Sequence, residues 1–73
     1  MSEIKCTVVE KIGIIKESQS GWSKELRKVS WNDAAPKLDI RDWAPNDEKS
    51  GKGITLTEEE ARNLKGLLDN YFG

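Results

Sequence analysis

The sequence has no histidine and a single cysteine, Cys6, among its 73 residues. The first absence removes the commonest general base and every Cys/His zinc site. The second makes an internal disulfide impossible, and an unpaired cysteine suits a reducing, cytoplasmic setting. Cys6 has no imidazole to activate it as a nucleophile. It reads as a small apolar residue on a strand. Long hydrophobic runs are also missing, and the opening MSEIKCTVVEK lacks the apolar segment of a signal peptide. The expectation is a cytoplasmic protein with no metal, no cofactor, no small-molecule substrate and no membrane partner.

A chain this short is one domain, residues 1–73, with a core too small to be comfortably stable alone. Small domains add disulfides, metals or a partner subunit. With the first two excluded, a homodimer is the remaining expectation. The net charge is −1, which argues against a uniformly basic surface. Its distribution is uneven: residues 24–52 carry one net positive charge and residues 53–73 two net negative charges. All three tryptophans, Trp22, Trp31 and Trp43, precede the acidic tail.

Residues 4–17, IKCTVVEKIGIIKE, are β-branched and partly alternating, with Ile4, Cys6, Val8, Ile12 and Ile14 of one parity. They predict a long first strand with a bulge or bend at Gly13. SQSGW (18–22) reads as a loop. KELRKVSW (24–31) reads as a second strand, NDAAP (32–36) as a turn and KLDIRDW (37–43) as a third strand. Residues 44–53, APNDEKSGKG, read as a loop before a short strand ITL (54–56). Thr57 and Glu60 form a capping box, and Glu58, Glu59 and Glu60 suit the positive end of a helix dipole. Ala61, Leu64, Leu68, Tyr71 and Phe72, widened by Leu67, make an apolar stripe. The fold class is α+β: a curved four-stranded antiparallel sheet followed by one C-terminal helix.

SGKGIT resembles a phosphate-binding loop but fails its requirements. A P-loop needs G-x-x-x-x-G-K-[ST] opening into a helix, whereas Lys52 lies between Gly51 and Gly53 with a strand following. An enzyme would have to use carboxylates or lysine for proton transfer. Ion pairing and helix capping account for the carboxylates here, so the chain is not read as an enzyme. The polar face of strands two and three is more informative. It groups Arg27 and Trp31 with Lys37, Asp39, Arg41 and Trp43. Guanidinium groups beside indoles on an open sheet make a platform for unpaired nucleic acid, bases stacking while cations track phosphates. Equally, Trp31 and Trp43 can plug a core or a dimer interface, with Arg27 and Arg41 pairing across strands to Asp39 and Glu25. Lys24, Lys49 and Lys52 can be phosphate contacts or solvated loop lysines.

VSWNDAAPKLDIRDWAPNDEKSGKGITLTEEEARNL (29–64) resembles the C-terminal domain of the positive cofactor 4 (PC4) transcriptional coactivator family, especially its short bacterial YdbC-like branch. The marks are VS in strand two, DIR in strand three, a nearby Trp, and GKGITL running into an acidic-capped helix. The resemblance implies a helix-mediated homodimer whose sheets bind single-stranded DNA with little sequence preference, in transcription, replication or repair. On it, Arg27, Arg41 and Lys52 match the family's sheet cations, and Trp43 lies at or beside a base-stacking position. Lys37 is a further candidate, and Trp31 or Trp22 can supply the aromatic that Ala34 and Ala35 lack. The expected nucleic-acid-binding set is therefore Trp22, Lys24, Arg27, Trp31, Lys37, Arg41, Trp43, Lys49 and Lys52. Leu64, Leu67, Leu68, Tyr71 and Phe72 are the expected core and dimer contacts. RNA is a second candidate ligand, since nothing discriminates a 2′-hydroxyl, and nucleoid association a second location. The alternative function is a protein-interaction module, a transcription cofactor using the same face. A phosphorylated N-terminal region like that of eukaryotic members is not expected, so coactivation of their polymerase is not implied.

Overall fold

Alternation of apolar and polar residues builds a meander. In the computed structural model, which describes residues 5–73, four strands precede one helix. They are β1 (Cys6–Glu17), β2 (Ser23–Trp31), β3 (Lys37–Trp43) and β4 (Ser50–Leu56), followed by α1 (Glu58–Phe72). The strands lie in the sheet in chain order, each antiparallel to the next. This is the expected α+β architecture; Ile4, placed in the first strand by its sequence, lies outside the described residues.

Two strands depart from the sequence reading. β4 begins at Ser50, four residues before the expected ITL, because Ser50 pairs with Trp43 and Gly53 with Arg41 across an irregularity. Only a single 3₁₀ turn, Pro45–Asp47, and three further residues (Ala44, Glu48 and Lys49) remain as connection. In β1, the register against β2 shifts three times, leaving Val9, Ile12 and Ile15 as extra residues. Each bulge moves the following residue to the other face. The parity expected for Ile12 and Ile14 therefore does not hold. Val8, Lys11, Ile14 and Glu17, at three-residue spacing, come opposite Val29, Arg27, Glu25 and Ser23.

The turns explain themselves locally. Asn32 and Asp33 both have positive φ (51° and 64°), and the Ala34 N–H donates to the Trp31 carbonyl at 2.9 Å. Asn and Asp tolerate this conformation best after glycine. Between β1 and β2, Gly21 has φ 93°, and a Cβ there would sit 2.9 Å from Pro45 Cγ. That hairpin end is thus pressed against the 3₁₀ turn.

The α1 N-terminus carries the expected capping box. Glu60 N–H donates to Thr57 Oγ1 (3.1 Å) and Thr57 N–H to Glu60 Oε1 (2.8 Å). These bonds hold the Glu60 carboxyl below its ordinary pKa. The helix leans over one side of the sheet, where Leu26, Leu38, Ile40 and Leu56 meet Ala61, Leu64 and Leu68 across an open groove. No helix residue is buried. Leu67 turns to solvent, and Tyr71 and Phe72 are 82% and 78% exposed. Within one chain, then, only Leu64 and Leu68 of the five expected core contacts reach the sheet groove.

The most deeply buried residues lie on the opposite side: Val29, Arg27 and Asp39, with Trp43 nearly so. The exposed area is 5903 Å², whereas a folded monomer of this mass exposes about 4,500 Å². The radius of gyration, 13.4 Å, likewise exceeds the roughly 11 Å of a compact domain this long.

Gly53 marks the tightest contact in the sheet, since a Cβ there would collide with the Ile40 carbonyl and the Arg41 side chain. Gly53→Ala is expected to cost about 1–3 kcal/mol in urea denaturation. A neutral result would mean that β4 can shift away from β3 freely.

Candidate nucleic-acid interface

The sheet face away from α1 collects the odd-numbered residues of β2 and β3. Their register sets Glu25 opposite Arg41 and Arg27 opposite Asp39. Charges of opposite sign therefore alternate both along and across the strands. The ion pairs form along the strands, between residues two apart, and not across them as the sequence suggested. Arg27 Nη2 lies 2.7 Å from Glu25 Oε1, and Arg41 Nε lies 2.9 Å from Asp39 Oδ1.

The first cluster centres on Arg27. Its Nε donates to Glu25 Oε1 (2.9 Å) and its Nη2 to Asp47 Oδ1 (2.9 Å). Ser23 Oγ donates to the other Glu25 oxygen, and Lys11 Nζ meets Asp47 Oδ2 at 3.0 Å. The guanidinium lies 3.9 Å from the centroid of the Trp43 ring, within the range of a favourable cation–π contact. Burial works against the Arg27 charge, but its bonds to Asp47 and Glu25 outweigh that and raise its pKa. Glu25 likewise pays for burial, yet Ser23 and Arg27 bring its pKa below the ordinary value. Asp47 is lowered by Arg27 and then Lys11. Two buried donors, Arg27 Nη1 and Trp43 Nε1, have no hydrogen-bond partner among the described residues.

The second cluster is a relay running from an indole to a backbone carbonyl. Trp31 Nε1 donates to Thr55 Oγ1 (3.1 Å), and Thr55 Oγ1 donates to Asp39 Oδ2 (2.7 Å). Asp39, fully buried, also accepts from Arg41 Nε (2.9 Å) and Nη2 (3.1 Å). Arg41 Nη1 then donates to the Gly51 carbonyl (2.9 Å). The Arg41 guanidinium lies 5.1 Å from the Trp31 ring centroid. Its bonds to Asp39 raise its pKa, so it stays charged. Nearby Cys6 is pushed up by burial and by Asp39, which disfavours its thiolate.

Against the sequence expectation, Arg27 and Trp43 are not surface contacts in this arrangement: they are 1% and 6% exposed. The 3₁₀ turn carries Asp47 onto Arg27, and Arg27 in turn covers Trp43. Trp31 and Arg41 are half-buried and reach the surface together. Lys37, Lys49 and Lys52 are exposed: at the start of β3, in the turn before β4, and in the irregular stretch of β4. Trp22 and Lys24 are separated from this set. Lys24 pairs with Asp42, has the parity of Leu26, and lines a recess with Trp22 beside the helix side of the sheet. Sequence reasoning missed Thr55, Lys11 and Asp47 as supports. Thr55 reaches this face through its register opposite Asp39, and the β1 bulges bring Lys11 there opposite Arg27.

A family model described as Transcriptional Coactivator p15 (PC4) matches residues 18–67. The chain belongs to the PC4 family. It is also 47% identical over 58 residues to an uncharacterized protein of Treponema pallidum (strain Nichols), covering 80% of this chain and 68% of that one. PC4 membership points to nucleic-acid binding or a cofactor role, in a non-enzymatic family. Strand β1 lies wholly outside the matched residues.

Because Glu25 and Asp47 hold protons less readily folded than unfolded, their contribution is complete above their unfolded pKa values, about 4. It is lost as the pH falls through the lower folded values. The melting temperature should therefore hold between about pH 7 and pH 5 and drop below about pH 4. Glu25→Gln should melt lower at neutral pH and lose less on acidification. An unchanged acid limb in that variant would remove Glu25 from the linkage.

Proposed function

We propose that this PC4-family chain binds single-stranded DNA, with little sequence preference, as a homodimer. The observation that carries the reading is the Trp31–Arg41 pair. It combines an aromatic face with a permanent cation on the sheet side away from the helix. Thr55 and Asp39 hold both groups before any ligand arrives. A side chain already fixed loses little freedom on binding. Stacking on an indole accepts any base, and an adjoining guanidinium suits a phosphate oxygen. Exposed Lys37, Lys49 and Lys52 extend the cationic track. Duplex DNA hides its base faces from such a surface.

The dimer reading is supported by exposed area. The excess over a monomer of this mass, about 1,400 Å² from the 5903 Å² exposed, is more than the roughly 800 Å² that each partner buries in a standard interface. Exposed Leu67, Leu68, Tyr71 and Phe72 and the open groove beneath α1 supply an apolar surface for it. Two copies would place two tracks on one particle and raise affinity through effective concentration.

Trp31→Ala should weaken binding to a labelled oligothymidylate by about 1–3 kcal/mol, the worth of one stacked base, with unchanged circular dichroism. Binding should weaken with salt at a slope near −0.7 per phosphate contacted, and duplex of equal length should bind more weakly. Equal affinity for duplex, or full affinity in the folded Trp31 variant, would overturn the stacking reading. An RNA oligonucleotide titrated alongside measures the discrimination between sugars. Sedimentation equilibrium should give a dimer that Leu67→Glu/Tyr71→Glu converts to monomer; a monomeric wild type would refute the assembly.

A further inference from the structure

One recess on the molecule lies apart from the Trp31–Arg41 face. It is open, about 420 Å³ in volume, and lined by Lys16, Ser18, Trp22, Lys24, Asp42 and Gly51. That volume falls within the roughly 300–1,000 Å³ of ordinary small-ligand sites. Lys16 of β1 and Lys24 of β2 are direct register partners. Like charges set opposite each other destabilise a sheet, and neither lysine has an ion-pair partner among the described residues. Asp42, the partner of Lys24 on its other side, leaves the row Lys16–Lys24–Asp42 with one net positive charge. The arrangement is short of one anion.

Trp22 gives the recess an aromatic wall held on both sides. Its carbonyl accepts from the Ser18 N–H and the Ser18 hydroxyl, both at 2.8 Å. Its ring packs against Gly51, where a Cβ would come within 3.5 Å of it. Gly51 also joins the two faces. Its carbonyl is held by Arg41, while its Cα lies against Trp22 and Asp42. The path between the sites crosses the β4 edge at its irregular stretch, where Lys52 is exposed, beside exposed Lys49 in the turn before β4. An aromatic wall, two unneutralised lysines and a cationic edge leading in from a nucleic-acid face suit one nucleotide unit of a longer strand.

We infer that the recess of Trp22, Lys16 and Lys24 is a second nucleotide subsite, reached by a single strand that leaves the Trp31–Arg41 face and wraps over the β4 edge. The base stacks on Trp22, and the flanking phosphates meet Lys16 and Lys24. The inference rests on the single-strand reading of the first face and adds to it Lys16, which β1 supplies from outside the family match.

The test uses the full chain and two oligothymidylates, one of about six nucleotides and one of about twenty, spanning one site and both. Lys16→Gln/Lys24→Gln should bind the short strand as wild type does. It should bind the long strand at least five-fold more weakly, with a salt slope shallower by about 1.4, the share of two phosphates. Trp22→Ala should show the same selective loss. If wild type binds both strands and the double lysine variant matches it on the long one, the second subsite is refuted while the first face stands. If wild type binds neither strand, the single-strand reading falls and the subsite with it.

Discussion

Arg27 is the side chain on which the arrangement of the face depends. A guanidinium with almost no access to water is costly unless its charge and donors are met. Its charge and all but its Nη1 donor are met by a neighbour from each direction: Glu25 from its own strand, Asp47 from the 3₁₀ turn, and the Trp43 ring at the end of β3. Asp47 in turn holds Lys11 of β1. One buried cation therefore fixes the relative positions of β1, β2, β3 and the turn leading into β4. In a sheet this thin, with so little apolar burial, that polar cluster takes the place of a conventional core.

The cost of the cluster is that its charge is spent internally. Arg27 is neutralised by two carboxylates and contributes little to the outward potential. Arg41 is different. It pairs with one carboxylate, Asp39, whose remaining capacity goes to Thr55. Its third nitrogen is engaged only by a carbonyl, and it stays at the surface against Trp31. Two arginines that look equivalent in the alternating sequence thus divide the work: one builds the face and the other presents it.

Features governed by local chemistry were legible in the sequence. The Thr57–Glu60 capping box, the turn at Asn32 and Asp33, and the alternation of β2 and β3 each depend on neighbours a few residues apart. The early start of β4 was not, because Gly51 and Gly53 carry no strand signal and extend only where β3 is there to pair with them. The bulges of β1 were not either: a period of two assumes an unbroken ladder, and three extra residues turn it into a period of three. The site followed the same division. Parity correctly set Arg27, Trp31, Arg41 and Trp43 on one face. Their exposure was hidden, because it is decided by Asp47, which reaches Arg27 from twenty residues away through a turn with positive φ at Asn46 and Asp47.

Net charge is a poor guide to a molecule organised this way. Much of the acidic charge is committed in place: Glu25 and Asp47 to Arg27, Asp39 to Arg41, Glu60 to the helix cap. Lys16, Lys24, Lys37, Lys49 and Lys52 form no ion pairs among the described residues. An anion approaching the sheet meets these free cations at close range, where the Debye length of about 8 Å leaves them little screened. A chain with a formal charge of −1 can therefore present a positive path, since paired carboxylates cancel nearby cations and leave the unpaired ones to set the local field.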